Sequence, residues 1–343
     1  MSDLPRKLEA ARSAVFHACA VCRRVQSELS AIRSLTKDDR SPVTVADFAS
    51  QAVVARTLME SLGDVVLVGE ESAAELRRLQ SEGSTELVEA VLREVRLVWP
   101  GATLDEVLDA IDVGAAEPPT DLVHGFWTLD PIDGTKGFLR GEQYSISLAW
   151  IENGAPVIGV LGCPNMSKDL SRPLDERDES GTIYWAEAGQ GLYEVSARDA
   201  KDRATRIRRL EPAEGEPLRL CESVESGHTS HDDAEMIMER VGEVAEPLRL
   251  DGQGKYAVVG RGQADVYLRL PRKSGYVERI WDHAAGALVA AEGGCAVTDV
   301  RGSLLDFSRG KGLENNRGIV VAAPALHGRI MGAIGALGLF RDV

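Results

Sequence analysis

The stretch Asp130-Pro131-Ile132-Asp133-Gly134-Thr135-Lys136-Gly137-Phe138 follows an apolar run, Phe126-Trp127-Thr128-Leu129, that reads as a buried strand. Two carboxylates therefore emerge at a strand end, where the backbone must turn. Pro131 sets one backbone angle and Gly134 permits a left-handed one. The turn is tight and aims Asp130, the Ile132 carbonyl and Asp133 into one small volume. Clustered anionic oxygens repel each other unless a cation sits among them. Hard divalent ions such as Mg²⁺ take such ligands, and Thr135 adds a hydroxyl beside whatever the cation holds. Taken alone, the same residues also read as a solvated Asp-Pro, Asp-Gly turn.

Three further segments favour the cation. Val65 to Ser72 is a second apolar strand ending in paired carboxylates, Glu70 and Glu71. Ile280-Trp281-Asp282-His283-Ala284-Ala285-Gly286 carries an isolated acid that opens an apolar, helix-like run. Upstream, Ser41-Pro42-Val43-Thr44-Val45-Ala46-Asp47 puts another acid at the start of a helical pattern, after a segment that Pro42 marks as extended. A carboxylate there also reads as a helix N-terminal charge stabilised by the dipole.

The reaction can be argued from these residue types. Phosphate monoesters hydrolyse extremely slowly, so a catalyst must activate water, neutralise the phosphoryl oxygens and stabilise the leaving alkoxide. Metal ions ~3.5–4 Å apart do all three. Glu70, Asp130, Asp133, Asp282 and the Ile132 carbonyl form a suitable set of oxygen ligands. Thr135 is too weakly acidic to be a base alone, but a carboxylate can orient it.

In this order the segments resemble the inositol monophosphatase superfamily of metal-dependent, lithium-sensitive phosphatases, and within it the 3'(2'),5'-bisphosphate nucleotidase branch. The resemblance rests on DPIDGTKGFLRG (Asp130 to Gly141), SPVTVAD (Ser41 to Asp47), VESGHTSH (Val224 to His231), ADVYLRLP (Ala264 to Pro271) and IWDHAAG (Ile280 to Gly286). It implies an α/β or α+β fold like that of fructose-1,6-bisphosphatase, a layered α-β-α-β-α sandwich of two lobes with the metals at their boundary. The first lobe is expected over 1–212, carrying most metal ligands, and the second over 213–343, carrying the nucleotide contacts.

By the same resemblance Glu70, Asp130 and Ile132 hold a first Mg²⁺, Asp130, Asp133 and Asp282 a second, and Asp47 lies near a weaker third. Asp47 and Thr135 are the catalytic pair that positions or deprotonates water. Gly134, Thr135, His228, Lys255, Arg269 and Asp282 contact the substrate, a small bisphosphorylated nucleotide, with Lys255 and Arg269 on its second phosphate. The branch commonly has Ser where Gly252 stands and a small residue such as Ala at Gly254, so a hydroxyl contact to the nucleotide is missing here. The expected reaction takes 3'-phosphoadenosine 5'-phosphate to AMP and phosphate, with the sulfated relative as a further substrate. One rival is an inositol phosphate 1-phosphatase, since the leaving alcohol is not recorded in the metal motif. The other is a non-catalytic nucleotide sensor, against which the complete acid set argues.

Without the resemblance, Arg269 in the apolar run Val266-Tyr267-Leu268 reads as a sheet edge or an anion contact. Lys255 follows a glycine-rich turn but lacks the spacing of a Walker loop. His228 and His231 lack the companions of a zinc site.

Composition sets outer limits. The 343 residues allow one large domain or two ordinary ones. A net charge of −15 argues against nucleic-acid or anionic-membrane partners, but not against a phosphorylated small molecule, because bound metal reverses the local field. No apolar stretch is long enough to span a bilayer and no signal-peptide core follows Met1, so a cytoplasmic protein is expected, monomeric or homodimeric. Five cysteines read as free thiols in a reducing compartment. Cys19 and Cys22 lie on the apolar face of a helix over Lys7 to Ser30 and read as core packing.

Residues Ala73 to Thr120, helical in pattern and polar, are expected to form a solvated insertion on the rim of the site, with a lid as the alternative. Alternating strands follow over Tyr144 to Glu152, Pro156 to Cys163, Thr182 to Glu187 and Gly191 to Val195, interrupted by a mobile surface loop over Ser167 to Ser180. Ala197 to Pro217 reads as the join to a second, α/β lobe that opens with a strand at Leu218 to Glu222.

Overall fold

The computed structural model describes residues 3–32, 41–199, 201–211, 215–225, 230–271 and 276–340. Helices α1 (Leu4–Ile32) and α2 (Ser41–Leu62) pack along one another. α1 buries Ala11, Val15, Ala18, Cys19 and Cys22 at helical spacing, so the two thiols are core residues, as their stripe implies. α2 is apolar nearly all round, because it lies inside the molecule with neighbours on several sides. It starts at Ser41, where an extended segment was expected. Proline is tolerated in a first turn, where its missing N–H would have had no intrahelical partner. Asp47 consequently sits in the body of the helix.

After β1 (Leu67–Gly69) come α3 (Ala74–Ser81), α4 (Glu86–Val95) and α5 (Leu104–Val113). These helices are neither a solvated insert nor a lid. Val88, Val91 and Val95 of α4 and Val107, Leu108 and Ile111 of α5 are buried in the same core as α2. Their charges lie on the outer faces, which is what made the segment look polar.

The chain continues through β2 (Phe126–Asp133), α6 (Thr135–Arg140), β3 (Ser145–Glu152), β4 (Ala155–Cys163), β5 (Thr182–Glu187), β6 (Gly191–Ser196) and β7 (Thr205–Arg206). β1 to β7 form one sheet in sequence order; β1 is parallel to β2 and every other pair is antiparallel. The hairpin turn at Asn153-Gly154 places both residues in the left-handed region, at φ 53° and 77°, matching the twist of the flanking strands. The segment 167–180 is irregular but tied down: Arg172 pairs with Asp178 at 2.6 Å and Gln143 donates to the Leu174 carbonyl.

A second sheet follows, built from β8 (Leu220–Glu222), β9 (Leu248–Arg249), β10 (Val266–Arg269), β11 (Ala296–Thr298) and β12 (Ile319–Ala322), in the order β11-β12-β10-β8-β9. Helices α7 (His231–Val241), α8 (Gly254–Gly260), α9 (Ala284–Glu292) and α10 (Pro324–Leu337) complete the chain.

Strand alternation sorts these elements into layers. Trp127, Leu129, Leu148 and Val160 join the core with α1 and α2, while Phe126, Ala149, Ile151 and Leu161 face the opposite way onto α8 and α9. Cys221, Tyr267 and Val321 meet those two helices from the other side, and Leu220, Val266, Leu268 and Val320 face α7 and α10. The result is the expected α-β-α-β-α sandwich. Among the described residues no helix is long and apolar enough to cross a membrane.

Candidate active site

Parallel pairing of β1 with β2 decides where the acids stand. Val68 pairs with Thr128 and Gly69 with Leu129, so Glu70 and Asp130 leave adjacent strands at the same level. β2 then bulges between Asp130 and Asp133. Asp130 Oδ1 accepts the Ile132 N–H at 3.0 Å, and Thr135 Oγ lies 3.5 Å from the Ile132 carbonyl. Gly134, at φ 91°, turns the chain into α6. Asp282 arrives from the turn that enters α9, and Asp47 from α2.

A cavity of about 390 Å³ opens here, lined by Glu70, Asp130, Ile132, Asp133, Gly134 and Thr135 from the first sheet, while Asp47 is not part of its lining. Ser223, Asp251, Gly252, Lys255, Arg269, Tyr276 and Asp282 line it from the other side. Lys136 and Arg140 tie its rim across the two sheets: Lys136 pairs with Glu225 at 2.8 Å, and Arg140 with Glu225 and Asp251.

Concentrated negative charge dominates the electrostatics. Burial, then Glu70, Asp133, Asp282 and Asp47 as like charges, hold the Asp130 carboxyl well above its usual range. Burial and the neighbouring Glu71 and Asp133 push Glu70 up to about 7. Asp282 rises to about 8 through burial and Asp133, with Arg269 pulling the other way. Asp47 is raised by burial, then by Glu71 and Glu70, so it is not the exposed helix-end carboxylate of the alternative reading. Such a donor set, hard oxygens driven toward protonation by one another, fits a divalent cation, which would relieve the repulsion that protons otherwise relieve.

The second side of the cavity carries the cations. Lys255 is buried, and its Nζ donates to the carbonyls of Gly252 (2.7 Å) and Leu250 (3.1 Å). Arg269 ends β10, which lies between β12 and β8, so the edge reading fails. Its guanidinium is held by Glu278. Glu278, Asp282 and His283 bring ligand atoms within 4.8 Å of one another, but Arg269 and His283 already occupy Glu278, so this trio is a poor separate metal site. His228 lies outside the described residues. His231 begins α7 with Nε2 3.3 Å from the Ser223 carbonyl and 3.9 Å from Glu222 Oε2, and among the described residues it belongs to no zinc-like set.

Gly252 has φ 75° and packs against the Asp133-Gly134 backbone, so the turn, and not only a missing hydroxyl, accounts for the glycine. Two supporting glutamines escaped the sequence reading. Gln51 Nε2 donates to the carbonyls of Glu71 (2.7 Å) and Ile111 (2.8 Å), and its Oε1 accepts the Glu71 N–H, which anchors the Glu70 loop. Gln253 receives Gly286 N–H and donates to the Trp281 carbonyl, bracing the turn that carries Asp282.

Comparisons with known proteins agree with this architecture. The Inositol monophosphatase family model matches residues 5–338. The 3'(2'),5'-bisphosphate nucleotidase of Schizosaccharomyces pombe is 37% identical over 340 residues, covering 96% of this chain and 94% of the relative. The 3'(2'),5'-bisphosphate nucleotidase 1 of Arabidopsis thaliana is 39% identical over 300 residues, 84% of each. The solved inositol monophosphatase from Anabaena shares the fold at a TM-score of 0.62 and 18% identity, covering 98% of this chain and 97% of that one. With a family match across nearly its whole length and an acid-lined cavity at the motif strands, the chain belongs to the inositol monophosphatase family, whose members are phosphatases that use divalent metal ions.

Proposed function

We propose that this chain is a Mg²⁺-dependent 3'(2'),5'-bisphosphate nucleotidase that hydrolyses the 3'-phosphate of 3'-phosphoadenosine 5'-phosphate to give AMP, and that it also accepts the sulfated relative. The observation that carries the reading is one cavity lined by Glu70, Asp130 and Asp133 on the first-sheet side and, beside Asp251 and Asp282 on the other, by two cations, the buried Lys255 and the largely buried Arg269. A substrate with two phosphates complements both sides. The names of relatives at 37% and 39% identity support the same choice.

In this reading residues 1–212 supply most metal ligands and 213–343 the nucleotide contacts. Glu70, Asp130 and the Ile132 carbonyl would hold one ion, and Asp130, Asp133 and Asp282 a second, with Asp47 near a third. Bound there, the ions would neutralise phosphoryl oxygens, acidify the attacking water and stabilise the leaving alkoxide. Thr135 presents its hydroxyl to the water, and Asp47 accepts the proton, its affinity for which burial raises. Lys255 and Arg269 grip the second phosphate, His228 serves the adenine and phosphate side of the pocket, and Gly134 contacts the substrate. Holding both ends fixes the scissile phosphate against the water, which is where a bisphosphate gains over a monophosphate.

The test is phosphate release with Mg²⁺ from 3'-phosphoadenosine 5'-phosphate, inositol 1,4-bisphosphate and inositol 1-phosphate, each with and without lithium. A nucleotide preference of about tenfold or more, about 1.4 kcal/mol in the transition state, is expected. Equal or better turnover of either inositol phosphate would sink the nucleotide assignment and leave the acid site standing.

A further inference from the structure

Arg269 and Asp282 line the same cavity with opposite charges, yet the arginine is committed elsewhere. Its Nε–H donates to Glu278 Oε1 at 2.8 Å, and Nη2 stands 2.8 Å from Oε2. Glu278 is itself fixed from behind. His283 Nε2 lies 3.1 Å from Oε2, and His283 Nδ1 lies 2.8 Å from the Tyr256 hydroxyl. A carboxylate only accepts, so Nε2 carries the imidazole proton and Nδ1 receives the tyrosine O–H. Tyr256 and His283 are each 1% exposed, so water does not compete for these bonds.

Ligand atoms of Glu278 and Asp282 lie within 4.8 Å of each other, which puts the guanidinium a short swing from the aspartate. An arginine beside a buried carboxylate closes on it readily, because the paired N–H fork matches the two oxygens. Asp282 would then be engaged before any cation arrived. Glu278 prevents this by taking one edge of the fork, with the Tyr276 hydroxyl as a further hydrogen-bond neighbour of the guanidinium.

The geometry points to Glu278 as a positioning residue, backed by His283 and Tyr256, that keeps Arg269 off Asp282 so that the aspartate stays open to a metal ion and the arginine to an anionic group of the substrate. The inference rests on the reading of Asp282 as a metal ligand. It differs from simple structural support in one respect: removing Arg269 should cancel the effect of removing Glu278.

Mn²⁺ binding to the metal-stripped full chain, followed by electron paramagnetic resonance, separates the possibilities. E278Q is expected to bind Mn²⁺ about fivefold or more weakly than wild type, and E278Q/R269M to return to within about twofold of R269M. Thermal unfolding run in parallel reports whether each variant is folded; Glu278→Asp, which keeps the charge at shorter reach, carries the same comparison if E278Q is unstable. Wild-type affinity in the Glu278 variants overturns the inference, as does an affinity loss that R269M fails to relieve. Wild-type affinity in Asp282→Asn overturns the metal reading itself, and this inference with it.

Discussion

Gly134 and Gly252 touch across the two sheets at the mouth of the site: a Cβ on Gly134 would stand 2.7 Å from the Gly252 nitrogen, and one on Gly252 would stand 2.6 Å from the Asp133 carbonyl oxygen. The turn bearing Asp133 and the turn bearing Asp251 can approach this closely only because neither carries a side chain there. Gly252→Ser should therefore push the turns apart, adding left-handed strain of about 1 kcal/mol or more to the steric cost. We expect a lower melting temperature and at least a tenfold fall in kcat/KM. A serine that raises nucleotide affinity instead would show that the missing hydroxyl matters more than the contact.

Asp47→Asn removes a buried carboxyl whose burial disfavours its charge, so the fold should keep its stability or gain some. If Asp47 accepts the proton from water, turnover should drop by about 10²–10⁴. Near-normal phosphate release from a folded variant would refute the role.

The acids make the metal-free protein pH-sensitive in a definite direction. Glu70 sits at about 7 and Asp282 at about 8, both above their ordinary values, so the folded state binds more protons than the unfolded chain between about pH 4 and 8. Stability of the metal-free protein is then highest at the acid end of that window and falls as pH rises through it. Added Mg²⁺ should reverse the loss, raising the melting temperature more at pH 8.5 than at pH 5.5. Equal shifts at the two pH values would argue against cation binding by these groups.

Gln51→Leu leaves the Ile111 carbonyl and both backbone groups of Glu71 without their partner. Unsatisfied buried polar groups cost about 1–3 kcal/mol each, so urea denaturation should show a loss of about 3 kcal/mol. Metal affinity should weaken as well, since Glu70 sits in the freed loop. A change below about 0.5 kcal/mol, typical of surface sites, would remove Gln51 from the support of the site.

Much of this was legible in the chain. The strand ending in Asp130, its partner ending in Glu70 and the apolar helix after Asp282 each carry a local signal: a run of buried residue types interrupted by an acid with no local reason to be there. The sandwich followed from resemblance, and strand alternation then accounts for its layers. What stayed hidden depends on tertiary contact. Gln51 and Gln253 look like solvated glutamines until the backbone they serve is brought to them. The burial of α4 hides in its spacing, Val88, Val91 and Val95 on one stripe, beneath a charged composition that suggested a solvated insert. Gly252 looked like a lost contact because its positive φ is invisible in one dimension.

The bulge in β2 has a consequence of counting. In a regular strand, residues three apart point to opposite faces, so Asp130 and Asp133 could not share a cavity. Here Asp130 pairs with Ser147 and Asp133 with Ser145, three steps on one strand against two on its partner. The surplus residue restores the parity of the two acids, and both face the cleft. Straightening the bulge at unchanged length would leave every acid in the sequence yet swing one of them into the hydrocarbon interior. The motif is thus a matter of arithmetic as much as of composition: an odd spacing between the acids works only with the bulge that absorbs the extra residue.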